Sequence, residues 1–117
     1  MLTINSFVVY VENIHVSQTF YSRLFDCEVT LLSPTFASMP LSLTLKQSNA
    51  LTPVSTMKGG GTELSLSVAD GHQLELVYNK WKEMGVDFIQ PPITSVYGLN
   101  FVATDPDKHR IRVFISE

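Results

Sequence analysis

The sequence predicts an α+β chain made of two tandem copies of one unit: a strand, a helix, then three strands. Three observations predict it. The segment Ser6-Phe7-Val8-Val9-Tyr10-Val11-Glu12-Asn13 aligns with Glu63-Leu64-Ser65-Leu66-Ser67-Val68-Ala69-Asp70 at a constant displacement, setting Phe7, Val9 and Val11 opposite Leu64, Leu66 and Val68. An amphipathic helix follows each segment, closing at Asp26 in the first copy and at Gly85 in the second. Between the copies, Gln47 to Thr62 is rich in Ser, Thr and Pro and ends near Gly59-Gly60-Gly61, the composition of a linker. Module 1 is therefore expected over about residues 1–48, the linker over about 49–61 and module 2 over about 62–117, within one domain spanning 1–117. A repeat of this kind means that neither copy buries its sheet alone.

In chain order, residues 3–12 are expected to form the first strand, with Phe7, Val9 and Val11 on one face and Ser6, Val8, Tyr10 and Glu12 on the other. Asn13 is placed to cap the first helix, whose expected buried stripe is Ile14, Phe20, Tyr21 and Leu24. Asp26 tolerates the left-handed conformation that ends a helix. A strand is expected at Glu28–Leu32 and a turn at Ser33-Pro34. Phe36–Met39 and Leu41–Lys46 then form either a hairpin around Pro40 or one bent edge strand. The glycine run is not a phosphate loop, because a strand rather than a helix follows it.

In the second copy, Asp70 and Gln73 stand at capping-box spacing, and Leu74, Val77, Trp81 and Met84 form the helix stripe, which makes Trp81 a core residue. Val86–Ile89 reads as a strand, Gln90-Pro91-Pro92 as a turn, Tyr97-Gly98 as a bend, Leu99–Thr104 as a strand and Asp105-Pro106-Asp107-Lys108 as a turn. The last strand, Arg110–Ile115, puts Ile111, Val113 and Ile115 on one face and Arg110, Arg112 and Phe114 on the other.

Composition narrows the function. An apolar fraction of 44% and a charged fraction of 16% are those of a globular domain. A formal net charge of −3 without a basic cluster argues against nucleic acid as a partner. The short apolar run Phe7–Val11, with no basic residues before it, is a strand rather than a signal peptide or membrane span. The single Cys27 excludes an internal disulfide and leans toward a cytoplasmic location.

The words Phe7-Val8-Val9-Tyr10-Val11-Glu12-Asn13-Ile14, Phe20-Tyr21, Lys82-Glu83-Met84-Gly85-Val86, Tyr97-Gly98 and Phe101 followed by Asp105-Pro106-Asp107 recur in this order over nearly the whole chain. With the repeat, they resemble the vicinal oxygen chelate superfamily, which includes glyoxalase I, extradiol dioxygenases and bleomycin-resistance proteins. The resemblance implies two βαβββ modules, each sheet curled into half a barrel, with a ligand cup on the concave side. It further implies a homodimer, or a pairing of the chain's own modules, to complete the cup.

In metal-using relatives a first-strand residue and a last-strand Glu in each module chelate a divalent ion. The matching positions here are Ser6 and Glu63 on the first strands, Arg112 on the last strand of module 2, and Ser42 or Thr44 in module 1. Only Glu63 is a credible ligand, since a guanidinium has no free lone pair and does not deprotonate. A catalytic metal needs about three protein ligands and an open position, so no metal and no cofactor is expected. His15 and His72 at helix starts and His109 at a turn are read as surface histidines.

The expected cup wall is then Val8, Tyr10 and Phe114, with the hydroxyls of Ser6, Ser65 and Ser67 and the charges of Glu63 and Arg112. Glu63 is either a general base or the partner of Arg112; if the two pair, Ser65 and Ser67 are candidates for further hydrogen bonds. Three functions compete: a metal-free protein that binds a small aromatic molecule, as antibiotic-resistance proteins do; a metal-dependent lyase, isomerase or dioxygenase; and a structural or regulatory dimer with a vestigial cup. Polar groups retained in the cup, costly to bury without a ligand, favour the first over the third.

Overall fold

Two four-stranded mixed sheets, each with one helix, make up the chain, and the computed structural model describes residues 1–116 of it. They belong to two units, Met1–Lys58 and Gly59–Glu117, each with the order β-α-β-β-β.

The first unit contains β1 (Phe7–Val11), α1 (Ile14–Phe25), β2 (Thr30–Ser33), β3 (Phe36–Met39) and β4 (Leu43–Gln47), with sheet order β1-β4-β3-β2. Strand β1 runs parallel to β4, the crossover that the intervening helix makes possible. It begins at Phe7, not at residue 3, because β4 offers no partner before Leu43; the last bond of the ladder is Phe7 N–H to Ser42 O at 2.9 Å. Asn13 caps α1, its side chain accepting from His15 N at 3.0 Å and Val16 N at 3.2 Å. Gln47 Oε1 takes the neighbouring Ile14 N–H at 3.1 Å, so the end of β4 also pins the helix start. At the other end Asp26 adopts φ 48°, the left-handed cap expected of it.

The buried face of α1 is Ile14, Ser17, Tyr21 and Leu24. Ser17 replaces the expected Phe20, because helical periodicity places position 17 between 14 and 21; Phe20 is half-buried and packs edge-on against Tyr21. The uncertain segment is a hairpin: β3 and β4 are antiparallel, joined by Pro40–Ser42 with Leu41 at φ 68° and Ser42 at φ 58°. Strand β2 starts at Thr30, two residues later than expected.

The second unit contains β5 (Glu63–Val68), α2 (Gly71–Glu83), β6 (Asp87–Ser95), β7 (Gly98–Thr104) and β8 (Arg110–Ile115), in the order β5-β8-β7-β6. Asp70 Oδ1 accepts from Gln73 N at 2.9 Å; Gln73 Oε1 accepts from Ala69 N at 3.4 Å, one residue before the N-cap N–H that a full capping box uses. Leu74 and Trp81 are buried, and Trp81 meets Phe101 edge-to-face at 5.6 Å. Tyr78 and Phe88 complete this aromatic cluster, which with Ile111 and Val113 forms the core under the helix.

The expected turn at Gln90-Pro91-Pro92 is not a turn. Strand β6 runs through it, with register shifts between Phe88 and Gln90 and between Gln90 and Ile93. Proline lacks the N–H a central strand needs, but β6 lies at a sheet edge, where that loss is tolerated. Among the described residues, no helix is long and apolar enough to cross a membrane.

Candidate functional site

The alternation of β8 buries Ile111 and Val113 toward α2 and turns Arg112 and Phe114 to the opposite, open face of the second sheet. Register then sets their neighbours: Arg112 lies between Ser65 of β5 and Val102 of β7, and Phe114 between Ser67 and Asn100. Arg112 Nε donates to Glu63 Oε2 at 2.9 Å, and Nη2 reaches Glu63 Oε1 at 3.5 Å. The pairing of Glu63 with Arg112, one of the two roles the resemblance leaves for Glu63, therefore forms, as a diagonal contact across β5 and β8. The further hydrogen bond comes not from Ser65 or Ser67 but from β7: Arg112 Nη1 donates to Asn100 Oδ1 at 2.7 Å.

Asn100 is fully buried and satisfied on both sides of its amide. Its Nδ2 donates to Ser95 Oγ at 2.9 Å, Gly98 O at 3.0 Å and Ile93 O at 3.4 Å, while Gln90 Nε2 donates to its Oδ1 at 3.2 Å. It thus ties the β6–β7 hairpin, including Tyr97, to Arg112. The guanidinium carbon sits 4.4 Å from the Tyr97 ring centroid, a cation–π stack. The Arg112 side chain is 11% exposed and is held from three directions.

Beside this network lies a pocket of about 610 Å³, within the usual range for small-molecule sites. Tyr97, Phe114 and Ser65 line it from the network side, Val96 and Gly98 from the hairpin, and Leu99 and Ile115 from the strand ends. None of these side chains carries a formal charge. Tyr97 is 56% exposed as a residue, and its ring is backed by the Arg112 guanidinium.

Of the residues singled out from sequence, Glu63, Ser65, Arg112 and Phe114 are brought together here, with Ser67 on the same face beside Phe114. Ser6, Val8 and Tyr10 lie in the first unit. There Ser6 Oγ accepts from Thr44 Oγ1 at 3.5 Å, and Val8 and Tyr10 are 46% and 38% exposed. The module 1 register is thereby resolved. Val8 pairs with Thr44 as Ser65 pairs with Arg112, so Thr44, not Ser42, is the counterpart of Arg112. Sequence reasoning missed Asn100 and Gln90. The available signal was Asn100 itself, a lone amide inside the apolar run Leu99–Ala103.

These positions do not fit a chelated divalent ion. Ser6 and Thr44 occupy one pair of positions and a paired Glu63 and Arg112 the other, and the guanidinium offers no lone pair. Among the described residues no group of three His, Cys, Asp or Glu side chains converges.

His15 and His72 are exposed, but His109 is not the surface histidine expected. Its side chain is 14% exposed and its Nδ1 lies 2.8 Å from Asp105 Oδ2. That hydrogen bond raises the imidazole pKa above its ordinary value; burial pulls the other way, more weakly. Asp105 Oδ1 also accepts from Asp107 N at 2.9 Å and His109 N at 2.8 Å, so a buried carboxylate organises the β7–β8 turn. Gly59 N–H donates to Asp107 O at 2.9 Å, and a Cβ on Gly59 would collide with the backbone of Lys108 and His109. The Cys27 thiol is held up by burial and then by Asp26, which makes it a poor nucleophile.

The fold and site define a tandem βαβββ protein with an uncharged pocket beside the Arg112 network of its second sheet. The chain belongs to the Glyoxalase/Bleomycin resistance protein/Dioxygenase superfamily, whose family model matches residues 3–113. It is 30% identical, over 96% of its own length and 91% of the relative's, to the phenazine antibiotic resistance protein EhpR of Enterobacter agglomerans. Among solved structures it is similar to protein ATC0852 from Agrobacterium tumefaciens, with 32% identity, a TM-score of 0.87 and coverage of 100% and 99% of the two chains. A glyoxalase-related enzyme from Fulvimarina pelagi shares the fold at 15% identity, with a TM-score of 0.84 over 99% of this chain and 89% of that one.

Proposed function

We propose that this protein binds a small planar aromatic molecule of the antibiotic kind against Tyr97 and sequesters it without transforming it and without a metal. The observation that carries the reading is the construction around Tyr97. A half-buried arginine, fixed by Glu63 and Asn100, backs Tyr97 at the edge of an uncharged pocket. A rigid aromatic platform loses little freedom on binding, which is how such sites gain affinity. The Glu63 carboxylate is committed to Arg112, so it serves architecture rather than proton transfer. The similarity to a phenazine resistance protein supports the same ligand class.

The assembly that fits this reading is a cytoplasmic homodimer in which both modules of each chain act as a single domain; light scattering at micromolar concentration tests the dimer. The binding reading is tested by calorimetric titration with phenazine. Phenazine is expected to bind and to be recovered unchanged, and Tyr97→Ala is expected to weaken binding about fivefold, in line with an aromatic contact of roughly 1 kcal/mol. Unaltered affinity in Tyr97→Ala, or no binding by phenazine, overturns it.

A further inference from the structure

The open face of the first sheet holds a cation of its own, on a different strand position from Arg112. Lys46 lies on β4, the strand flanked by β1 and β3, and is paired directly with Tyr10 on one side and Phe36 on the other. Residues directly opposite on neighbouring strands share a face, so Tyr10, Lys46 and Phe36 form one row, aromatic–cation–aromatic. With strands about 4.8 Å apart, the outer two stand roughly 10 Å from each other, the width of a two-ring aromatic system. The next row on this face is Val8, Thr44 and Ser38.

The ammonium is held but not neutralised. Lys46 Nζ donates to Thr35 Oγ1 at 2.9 Å and lies 5.9 Å from the Phe36 ring centroid. Among the described residues no carboxylate comes within ion-pair distance of it. An ammonium has three donors, so two remain for an acceptor arriving from solvent. Lys46 is half-buried as a residue, its ammonium lies beside the Phe36 ring, and Tyr10 is its cross-strand neighbour on β1. Tyr10, 38% exposed, and Val8, 46% exposed, leave apolar surface accessible beside it.

We infer that this row is an anion-recognition site for aromatic carboxylates: the carboxylate on Lys46 Nζ, the ring against Tyr10 and Phe36. The site does not depend on the Tyr97 pocket, which lies in the other unit and carries no charged lining.

The test uses the full chain and two probes of one shape, 2-naphthoate and its neutral amide, 2-naphthamide. Affinities come from titration, and location from NMR shifts of Tyr10, Lys46 and Phe36. The acid is expected to bind about tenfold more tightly than the amide and to shift those three residues. Lys46→Met is expected to bring the ratio to within twofold, while Lys46→Arg, which keeps the charge, preserves a preference for the acid. Equal affinities for the two probes, a preference that survives Lys46→Met, or no binding of 2-naphthoate at millimolar concentration overturns the assignment. Should Lys46→Met fail to fold, the wild-type and Lys46→Arg ratios with the shift map decide it.

Discussion

The open faces of the two sheets are built on one register but spend their polar residues differently. Matching β1 with β5 and β4 with β8, Ser6 stands where Glu63 does and Thr44 where Arg112 does; Lys46 takes the place of Phe114, and, one strand on, Phe36 that of Asn100. The second sheet places its cation next to a carboxylate and a buried amide and closes a network around it. The first sheet places a hydroxyl pair at that position, 3.5 Å apart, and moves its cation one row along, over the Phe36 ring on a strand position paired with Tyr10. The same backbone thus yields a rigid neutral platform in one unit and an unneutralised cation in the other. What differs is which side chain answers the charge, since a buried ion is tolerable only when paired and hydrogen-bonded.

The comparison breaks most severely at Asn100. Replacing it with Leu removes the acceptor of Arg112 Nη1 and the donor to three oxygens of the β6–β7 hairpin, leaving buried polar groups unpaired. Asn100→Leu is expected to destabilise by about 3 kcal/mol, measured by urea unfolding, and to weaken phenazine binding because Tyr97 is no longer fixed. The reverse change in the first sheet, Phe36→Asn, breaks no hydrogen-bond network and is expected to be milder.

A double-mutant cycle with Glu63→Gln and Arg112→Met sharpens the comparison. The coupling energy is expected to be about 1–2 kcal/mol, kept modest because Glu63 is 34% exposed and screened by solvent. Each single change leaves a partner behind, so the double variant is expected to be more stable than the sum of the singles implies. The same cycle on Ser6→Ala and Thr44→Val is expected to give coupling near zero. Additivity in both sheets would show that the salt bridge contributes nothing distinctive.

The smallest effect contrasts the turns that close the two hairpins. Pro40–Ser42 in the first unit carries no titratable side chain, whereas His109 is paired with Asp105 in the second. The folded pKa of His109 is raised above its unfolded value. Its contribution to stability is therefore fully present below about pH 6.5 and lost as pH rises through the folded pKa. Stability measured from pH 5 to pH 9 is expected to show this downward step, below about 1 kcal/mol, and His109→Asn is expected to abolish it. An identical profile in that variant would mean that another group titrates.

Local sequence is enough to give the repeat, both helices with their caps at Asn13, Asp26 and Asp70, and the alternation on β1, β5 and β8; the meeting of Glu63 with Arg112 follows only once β5 and β8 pair. The repeat, the caps and the alternation rest on local periodicity and capping chemistry. Only the tertiary structure decided the rest. Gln90-Pro91-Pro92 reads as a turn in any local window; it is strand because β6 lies at an edge. Asn100 becomes a further partner of Arg112, and His109 a partner of the buried Asp105, through pairings and turns that bring them into reach. Lys46 gains its aromatic neighbours from two strands that lie far apart in sequence, one parallel and one antiparallel to its own. Such juxtapositions are set by strand order and register between distant segments, which no local pattern of residues encodes.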